Sequence, residues 1–288
     1  MGQIQKTVFK SKDQTVPGFE LTTIKDFYQP QRMRSAGRHS RVNFYVLMYV
    51  THGEGSHEVD FQSFSLRPGD VILVNRHRVH RFLLNDTMDG YIIHFTDTFL
   101  HNKDIVHAVD ILEPYLQQYD FPVIHLSDEA NVMTHQLMAV METFYKMNED
   151  PLLPAIIHSN FRTLMLFLHQ QSQLFKPDRD PSNYQRFVRF MELVEKHCKE
   201  IHSVKEYAEL LHVTPKTLNQ YTRKAVDMSA KQFIINRCIV EIKRCLSTGE
   251  MSIGEISDEL GFSEQTNMTK FFKKHTGMAP STFIEERC

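Results

Sequence analysis

Two hydrophobic patterns divide the chain. Between residues 19 and 97 apolar positions come as short runs separated by turn signals. Residues 44–50 form a continuous aromatic and β-branched run, which suits a buried strand. Gly53-Glu54-Gly55 breaks it, and residues 57–61 alternate roughly. Arg67-Pro68-Gly69-Asp70 is a turn signal ahead of a run at 71–74, and further runs follow at 79–84 and 91–95. Short strands in close succession predict a sandwich or barrel. After Thr98 the period changes. Ser127 and Asp128 suit a helix start, and Val132, Leu137, Val140, Met141 and Phe144 recur at helical spacing. Beyond Pro151 and Pro154 a second helix is predicted from about residue 155 to residue 174. Residues 176–183 are polar with two prolines and read as a linker.

Everything after Tyr184 reads as helical, and it repeats. Val204, Ala208, Leu211 and Val213 are spaced as Ile253, Ser257, Leu260 and Phe262, at an offset of 49 residues. Leu218, Tyr221, Met228 and Phe233 then match Met268, Phe271, Met278 and Phe283 at an offset of 50, so one extra residue lies near Ser263-Glu264. Each copy has helix-turn-helix logic. A short helix opens at Ser203 or Ser252, with Glu206 or Glu255 placed for a capping box, and ends at Leu211 or Leu260. Gly261 then favours the left-handed turn, where the first copy has His212. Val213 or Phe262 plugs the turn. A second helix opens at Thr214 or Ser263, with Pro215 well placed at the first helical position.

In those second helices Leu218, Tyr221 and Ala225, and likewise Met268, Phe271 and Phe272, fall on the inward side. The outward side holds amides, hydroxyls and lysines near each helix start. Lys216, Thr217, Asn219 and Gln220 in the first copy, and Gln265, Thr266, Asn267 and Lys270 in the second, are the candidates for reading base edges in a DNA major groove. Arg223, Lys224, Lys273 and Lys274, one turn later, are the candidates for phosphates. A polar basic helix face is more often merely solvated. Two in-register copies of it shift the balance toward DNA.

The stretch Ser252-Ile253-Gly254-Glu255-Ile256-Ser257-Asp258-Glu259-Leu260-Gly261-Phe262-Ser263, followed by Phe271-Phe272-Lys273-Lys274-His275-Thr276-Gly277-Met278-Ala279-Pro280-Ser281-Thr282-Phe283, resembles the C-terminal signature of AraC/XylS-type transcription regulators. The resemblance covers roughly residues 184–286. It implies seven helices, with a long one over about 229–247 joining the two motifs. Asp227 stands where that family often has glycine, and aspartate tolerates left-handed geometry better than most residues. Gly53-x-Gly55, Leu66-Arg67-Pro68-Gly69-Asp70 and Val79-His80 resemble the family's cupin-like sensing domain. The resemblance implies an α+β protein of two domains: a cupin-like β-barrel with a helical dimerisation segment over 1–175, the linker 176–183, and an all-α double helix-turn-helix domain over 184–288. A barrel interior is a natural small-molecule pocket. Arg38, His39, Tyr45, His80, Tyr91 and His94 are its candidates for effector contacts by position. Double-stranded DNA, RNA polymerase and a second copy of the chain are the expected partners, with a small-molecule effector or protein partner at the barrel. Family members are more often activators.

Charge changes this picture little. The whole chain carries 33 Lys and Arg against 35 Asp and Glu, while from Tyr184 onward the numbers are 16 and 14. The case for DNA therefore rests on where the cations sit. Cys198, Cys238, Cys245 and Cys288 form no Cys-x-x-Cys pair, which argues against a zinc site or a disulfide framework. The start lacks a signal-peptide core, lysine at position 6 departs from the myristoylation pattern, and no apolar run has the length of a membrane span. These features predict a cytoplasmic protein. The competing reading is a cupin-type metalloenzyme with a helical interaction tail. It would use His39 and His80, with His77 nearby. His39 is followed by Ser40-Arg41, so the paired histidine is missing. No catalytic residue, metal or cofactor is expected.

Overall fold

The computed structural model describes residues 5–9, 15–27, 39–76, 78–83, 87–100, 123–147, 150–174 and 181–287. The chain divides into two compact units, Gln5–Pro177 and Asp178–Cys288. The first holds β1 (Gln5–Thr7), β2 (Phe19–Thr23), α1 (Ile24–Phe27), β3 (Ser40–Val42), β4 (Tyr45–His52), β5 (Gly55–Val59), β6 (Gln62–Leu66), β7 (Asp70–Val74), β8 (Val79–Leu83), β9 (Asp89–Phe95), α2 (Asp97–Leu100), β10 (Val123–His125), α3 (Asp128–Lys146) and α4 (Leu153–Leu174). The strands form two five-stranded sheets, ordered β1-β3-β8-β5-β6 and β10-β7-β4-β9-β2. Among the described residues all pairings are antiparallel except β1 with β3.

The continuous apolar run has a physical cause. Strand β4 lies between β7 and β9 and is covered on both faces. Val46, Met48 and Val50 join Ile72, Val74, Ile92, Val42 and Phe82 in one buried cluster between the sheets. Leu47 and Tyr49 point the other way, into a cluster with Ile93, Phe95 and the helices α3 and α4 through Met138, Met141, Ile157, Phe161 and Leu164. A strand buried on both sides loses the apolar-polar alternation of a half-solvated one. The run at 57–61 is shorter than the sequence pattern suggests. Strand β5 ends at Val59, and Asp60 and Phe61 turn back with φ of 47° and 68° into β6. Two such residues make the tight hairpin whose twist matches its flanking strands. Helix α3 starts as expected, with Ser127 Oγ accepting from the Ala130 amide at 3.3 Å. Strand β10 interrupts the helical region and pairs with β7.

The second unit is all helix among the described residues: α5 (Pro181–His197), α6 (Val204–Leu210), α7 (Pro215–Val226), α8 (Ala230–Thr248), α9 (Ile253–Glu259), α10 (Gln265–Thr276) and α11 (Pro280–Arg287). Helix α5 begins inside the stretch read as linker, since proline at a first helical position costs no hydrogen bond. The sequence repeat is also a backbone repeat. His212 and Gly261 both take positive φ, 54° and 68°, after the first helix of each motif. Asp227 and Gly277 cap α7 and α10 in the left-handed conformation. Caps differ between copies. Ser252 and Glu255 form the full capping box at α9, whereas Ser203 accepts only from the Lys205 amide at α6. Helix α7 is capped by Thr214, but α10 starts after Glu264, one residue later than expected, with no side-chain cap. The extra turn residue is absorbed there.

Helix α8 runs through the centre of this unit. Phe233, Ile234, Ile239, Ile242 and Leu246 are buried along it. So are three charged side chains, Arg237, Glu241 and Arg244. Arg237 donates to Glu195 of α5, with one bond at 2.8 Å, and to Glu241 at 3.0 Å, while Arg244 donates to Glu241 at 3.1 Å. Burial of this kind is tolerated only when the charges pair with one another.

Candidate nucleic-acid interface and effector site

Helices α7 and α10 present matching faces. Leu218, Tyr221 and Ala225 are buried in α7, and Met268 and Phe272 in α10. Phe271 is half-buried between Phe262 and His275. Opposite them Lys216, Gln220, Arg223 and Lys224 are exposed, as are Gln265, Thr266, Asn267, Lys270, Lys273 and Lys274. The basic pairs Arg223-Lys224 and Lys273-Lys274 lie in the last turn of each helix, where cations also complement the helix dipole.

Two of the first-copy candidates are engaged within the protein. Thr217 packs its hydroxyl 2.9 Å from the capping hydroxyl of Thr214. The Asn219 carboxamide is used at both ends. Its Oδ1 accepts from the Ala230 amide at 2.9 Å, and its Nδ2 donates to the Pro215 carbonyl at 3.1 Å. This corrects the expectation that Asn219 faces bases: it ties α7 to the start of α8. The second copy explains why. The residues 50 positions on are Thr269 and Pro280. Proline has no amide hydrogen, so no acceptor is needed there. In α10, Thr266 donates to Glu264 at 2.9 Å, and Asn267 donates to Ser263 at 2.9 Å. Both remain exposed and keep acceptor atoms.

The barrel candidates do not converge. Arg38 and His77 lie outside the described residues. Tyr45 and Tyr91 belong to the helix-covered side of their sheet. Tyr45 stacks on Phe95 and donates to Asp97 at 3.1 Å. Tyr91 stacks on Tyr49, and burial, helped by Glu142, pushes its phenol up to about 12. His39 meets Glu58 at 3.2 Å, and Arg81 donates to the same carboxylate at 2.6 Å. Glu58 pairs with Arg81 across the strands, while the flanking His57 pairs with Phe82 and Val59 with His80. Successive strand residues alternate faces, so His39 and His80 lie on opposite faces of the sheet. Of the five candidates among the described residues, only His80 and His94 face the space between the sheets, which corrects the placement of His39, Tyr45 and Tyr91 in a common pocket.

There a histidine that sequence reasoning passed over joins them. His57 Nε2 lies 3.1 Å from His80 Nδ1, both rings fully buried. Burial holds the His57 imidazole well below the usual histidine range and brings His80 down to about 3. Both are therefore neutral, one donating and the other accepting. His57 Nδ1 is buried without a hydrogen-bond partner among the described residues. His94 sits beside Phe44 and Phe27, with Glu20 at 3.5 Å. Alternation with Val59 in β5 was the signal that places His57 inward. Among the described residues no three His, Cys, Asp or Glu are grouped to hold a metal ion. Cys198, Cys238 and Cys245 are buried, and none of them is in a disulfide among the described residues. No helix among them is long and apolar enough to cross a membrane.

Comparison with known proteins covers both units. A model of an AraC-like ligand binding domain matches residues 26–107, and a model of a helix-turn-helix domain matches residues 207–286. The chain is 20% identical over 266 residues to the HTH-type transcriptional activator RhaS of Salmonella schwarzengrund strain CVM19633, spanning 90% of this chain and 91% of that protein. The figures are the same for RhaS of Salmonella typhimurium strain LT2. Among solved structures, ToxT from Vibrio cholerae is similar at 13% identity and a TM-score of 0.46, covering 93% of this chain and 98% of that one. The C-terminal domain of AraT, a response regulator from Geobacillus stearothermophilus, is 23% identical with a TM-score of 0.33, covering 34% of this chain and 83% of that one.

Proposed function

The chain belongs to the AraC/XylS-type transcription regulators, and on that premise we propose that α7 and α10 enter two successive major grooves on one side of the duplex. The observation that carries this reading is the duplicated exposed face on two buried-backed helices within one compact unit. Helix α8 joins the motifs, and its 19 residues at a rise of about 1.5 Å each span roughly 28 Å. Adjacent major-groove segments lie about 34 Å apart, so the strut and the width of the motifs together match the interval. Lys216, Gln220, Gln265, Thr266, Asn267 and Lys270 read base edges, with Thr217 at the margin. Arg223, Lys224, Lys273 and Lys274 neutralise phosphates. Selection of bound sequences from random DNA by the full chain, followed by footprinting, tests this. One chain is expected to protect an asymmetric site of about two helical turns, and protection of a single turn overturns it.

The first unit then serves as the regulatory part. A small-molecule effector is best placed between the sheets, at His57, His80 and His94. The chain acts as a homodimer through α3, where Val132, Met133 and Val140 are exposed while the apolar residues of α4 are spent on the sheet. Activation by way of RNA polymerase is the reading that fits the similarity to RhaS, an activator. The protein works where the DNA is, in the cytoplasm, and has no enzymatic step.

A further inference from the structure

A helical strut fixes the distance between its own ends. It does not fix the rotation of a motif that hangs beyond a turn. Helix α8 ends at Gly249 in the left-handed conformation, and α9 starts only at Ile253. Something else must hold the second motif at one angle to the first if both are to meet their grooves.

The corner between α5 and α6, residues 199–202, touches both motifs. On one side the Tyr207 hydroxyl, from the first motif, donates to the Ile201 carbonyl at 3.0 Å. The Tyr207 ring is buried edge-on against Phe190 of α5. On the other side the corner meets the second motif three times. Lys199 Nζ pairs with Glu259 at 2.5 Å, at the end of α9. The His202 ring lies 5.0 Å from the ring of Phe262, the plug of the second turn. The Gly261 backbone approaches the Lys199 carbonyl so closely that an added Cβ would sit 2.6 Å from that oxygen. His202 is itself held, with Nε2 3.1 Å from the Cys198 carbonyl and 3.8 Å from Cys238 Sγ on α8.

The repeat supplies an internal control. His212 occupies the same place in the first motif at φ 54°, against 68° for Gly261. A side chain is therefore compatible with that backbone conformation where space allows, and His212 is exposed. Glycine at 261 answers to the close approach of Lys199 more than to the backbone angle.

We propose that the 199–202 corner is a positioning element that sets the angle and spacing of the second reading helix relative to the first, with Gly261 and His202 as its positioning residues. The inference rests on the two-motif reading above. The test uses the full chain and a DNA library in which the two half-elements are joined by spacers of varied length. Wild-type protein is expected to select one spacer length. Gly261→Ala and His202→Ala are each expected to shift or broaden that choice by at least about one base pair. They should also bind the wild-type spacing about tenfold more weakly, while the bases preferred within each half-element stay the same. A loss of stability alone would weaken every spacer equally. Lys199→Glu should broaden the choice as well, and adding Glu259→Lys should restore it. If Gly261→Ala does not fold, His202→Ala and the charge exchange carry the test. Spacer distributions identical to wild type in the folded variants overturn the proposal. A wild-type chain that protects only one element overturns the two-motif reading instead, and that result is visible without any variant.

Discussion

At the residue scale the outward sets of α7 and α10 divide by reach. Gln220 is exposed near the middle of α7, and its carboxamide can present both donor and acceptor to a base. Gln220→Ala is expected to relax preference at one or two base pairs at a cost of about 1–3 kcal/mol. Lys273→Ala should weaken all sequences alike and reduce the salt slope by about one unit. Quantitative binding over a set of single-base variants separates the two, and a change in preferred bases for Lys273→Ala would contradict the assignment. Asn219→Ala is a different case. Its carboxamide caps α8 at Ala230, so removing it should cost about 1 kcal/mol of stability and leave base preference alone. Thermal unfolding and the same binding panel check both halves of that statement. Helical spacing alone puts Asn219 beside the reading face. What removes it is a tertiary bond to a residue 11 positions on, and no local pattern reveals that.

Elements show the same division between what periodicity carries and what it does not. Helix starts at Ser127, Thr214 and Ser252 were legible, because a capping side chain is a local device. Helix α10 starts one residue later than a cap at Ser263 predicts, since the Ser263 hydroxyl accepts from Asn267 instead. Tyr45 and Tyr91 cannot be assigned to a face by pattern, because a strand covered on both faces carries no apolar-polar alternation to fix which side points inward. Arg237, Glu241 and Arg244 look in sequence like an ordinary solvated charge pattern on a helix. Only the packing of α5 against α8 shows that they are buried. Glu241→Ala should therefore destabilise the second unit by about 3–5 kcal/mol, because it leaves buried guanidinium groups short of an acceptor. A destabilisation near zero in denaturant unfolding would mean the network is solvated in solution. The α3 helix makes the matching prediction on its exposed side. Val132, Met133 and Val140 fall within about 100° of one another around the helix axis, so Val140→Asp should convert dimer to monomer in sedimentation. A wild-type chain that is already monomeric at micromolar concentration would remove the dimer.

For the whole molecule, the two-unit organisation, the strand-rich first unit and the doubled motif were all readable from pattern and repeat. The chemistry between the sheets was less so. His57 and His80 lie 23 residues apart and are brought together by strand register alone. Their burial makes stability depend on pH in a definite direction. Each has a folded pKa below its unfolded value, His80 at about 3 against 6.5. The unfolded chain therefore binds more protons in that interval, and stability falls as pH drops from about 6.5 toward about 3. The first unit should lose stability over this window, and His57→Phe should flatten the slope. An unchanged slope would place the titrating groups elsewhere.

The central claim is that one chain holds two reading helices rigidly enough to meet two successive grooves. The most direct measurement is the affinity of the full chain for its selected site before and after about five base pairs are inserted between the two half-elements. Half a helical turn carries one groove to the far side of the duplex. Rigid motifs must then give up one set of contacts, so binding is expected to fall to the level of a single half-element, while insertion of a full turn of about ten base pairs leaves the grooves on one side but too far apart. Undiminished affinity after the five-base-pair insertion would mean that only one motif reads DNA, or that the two move independently, and either result contradicts the account.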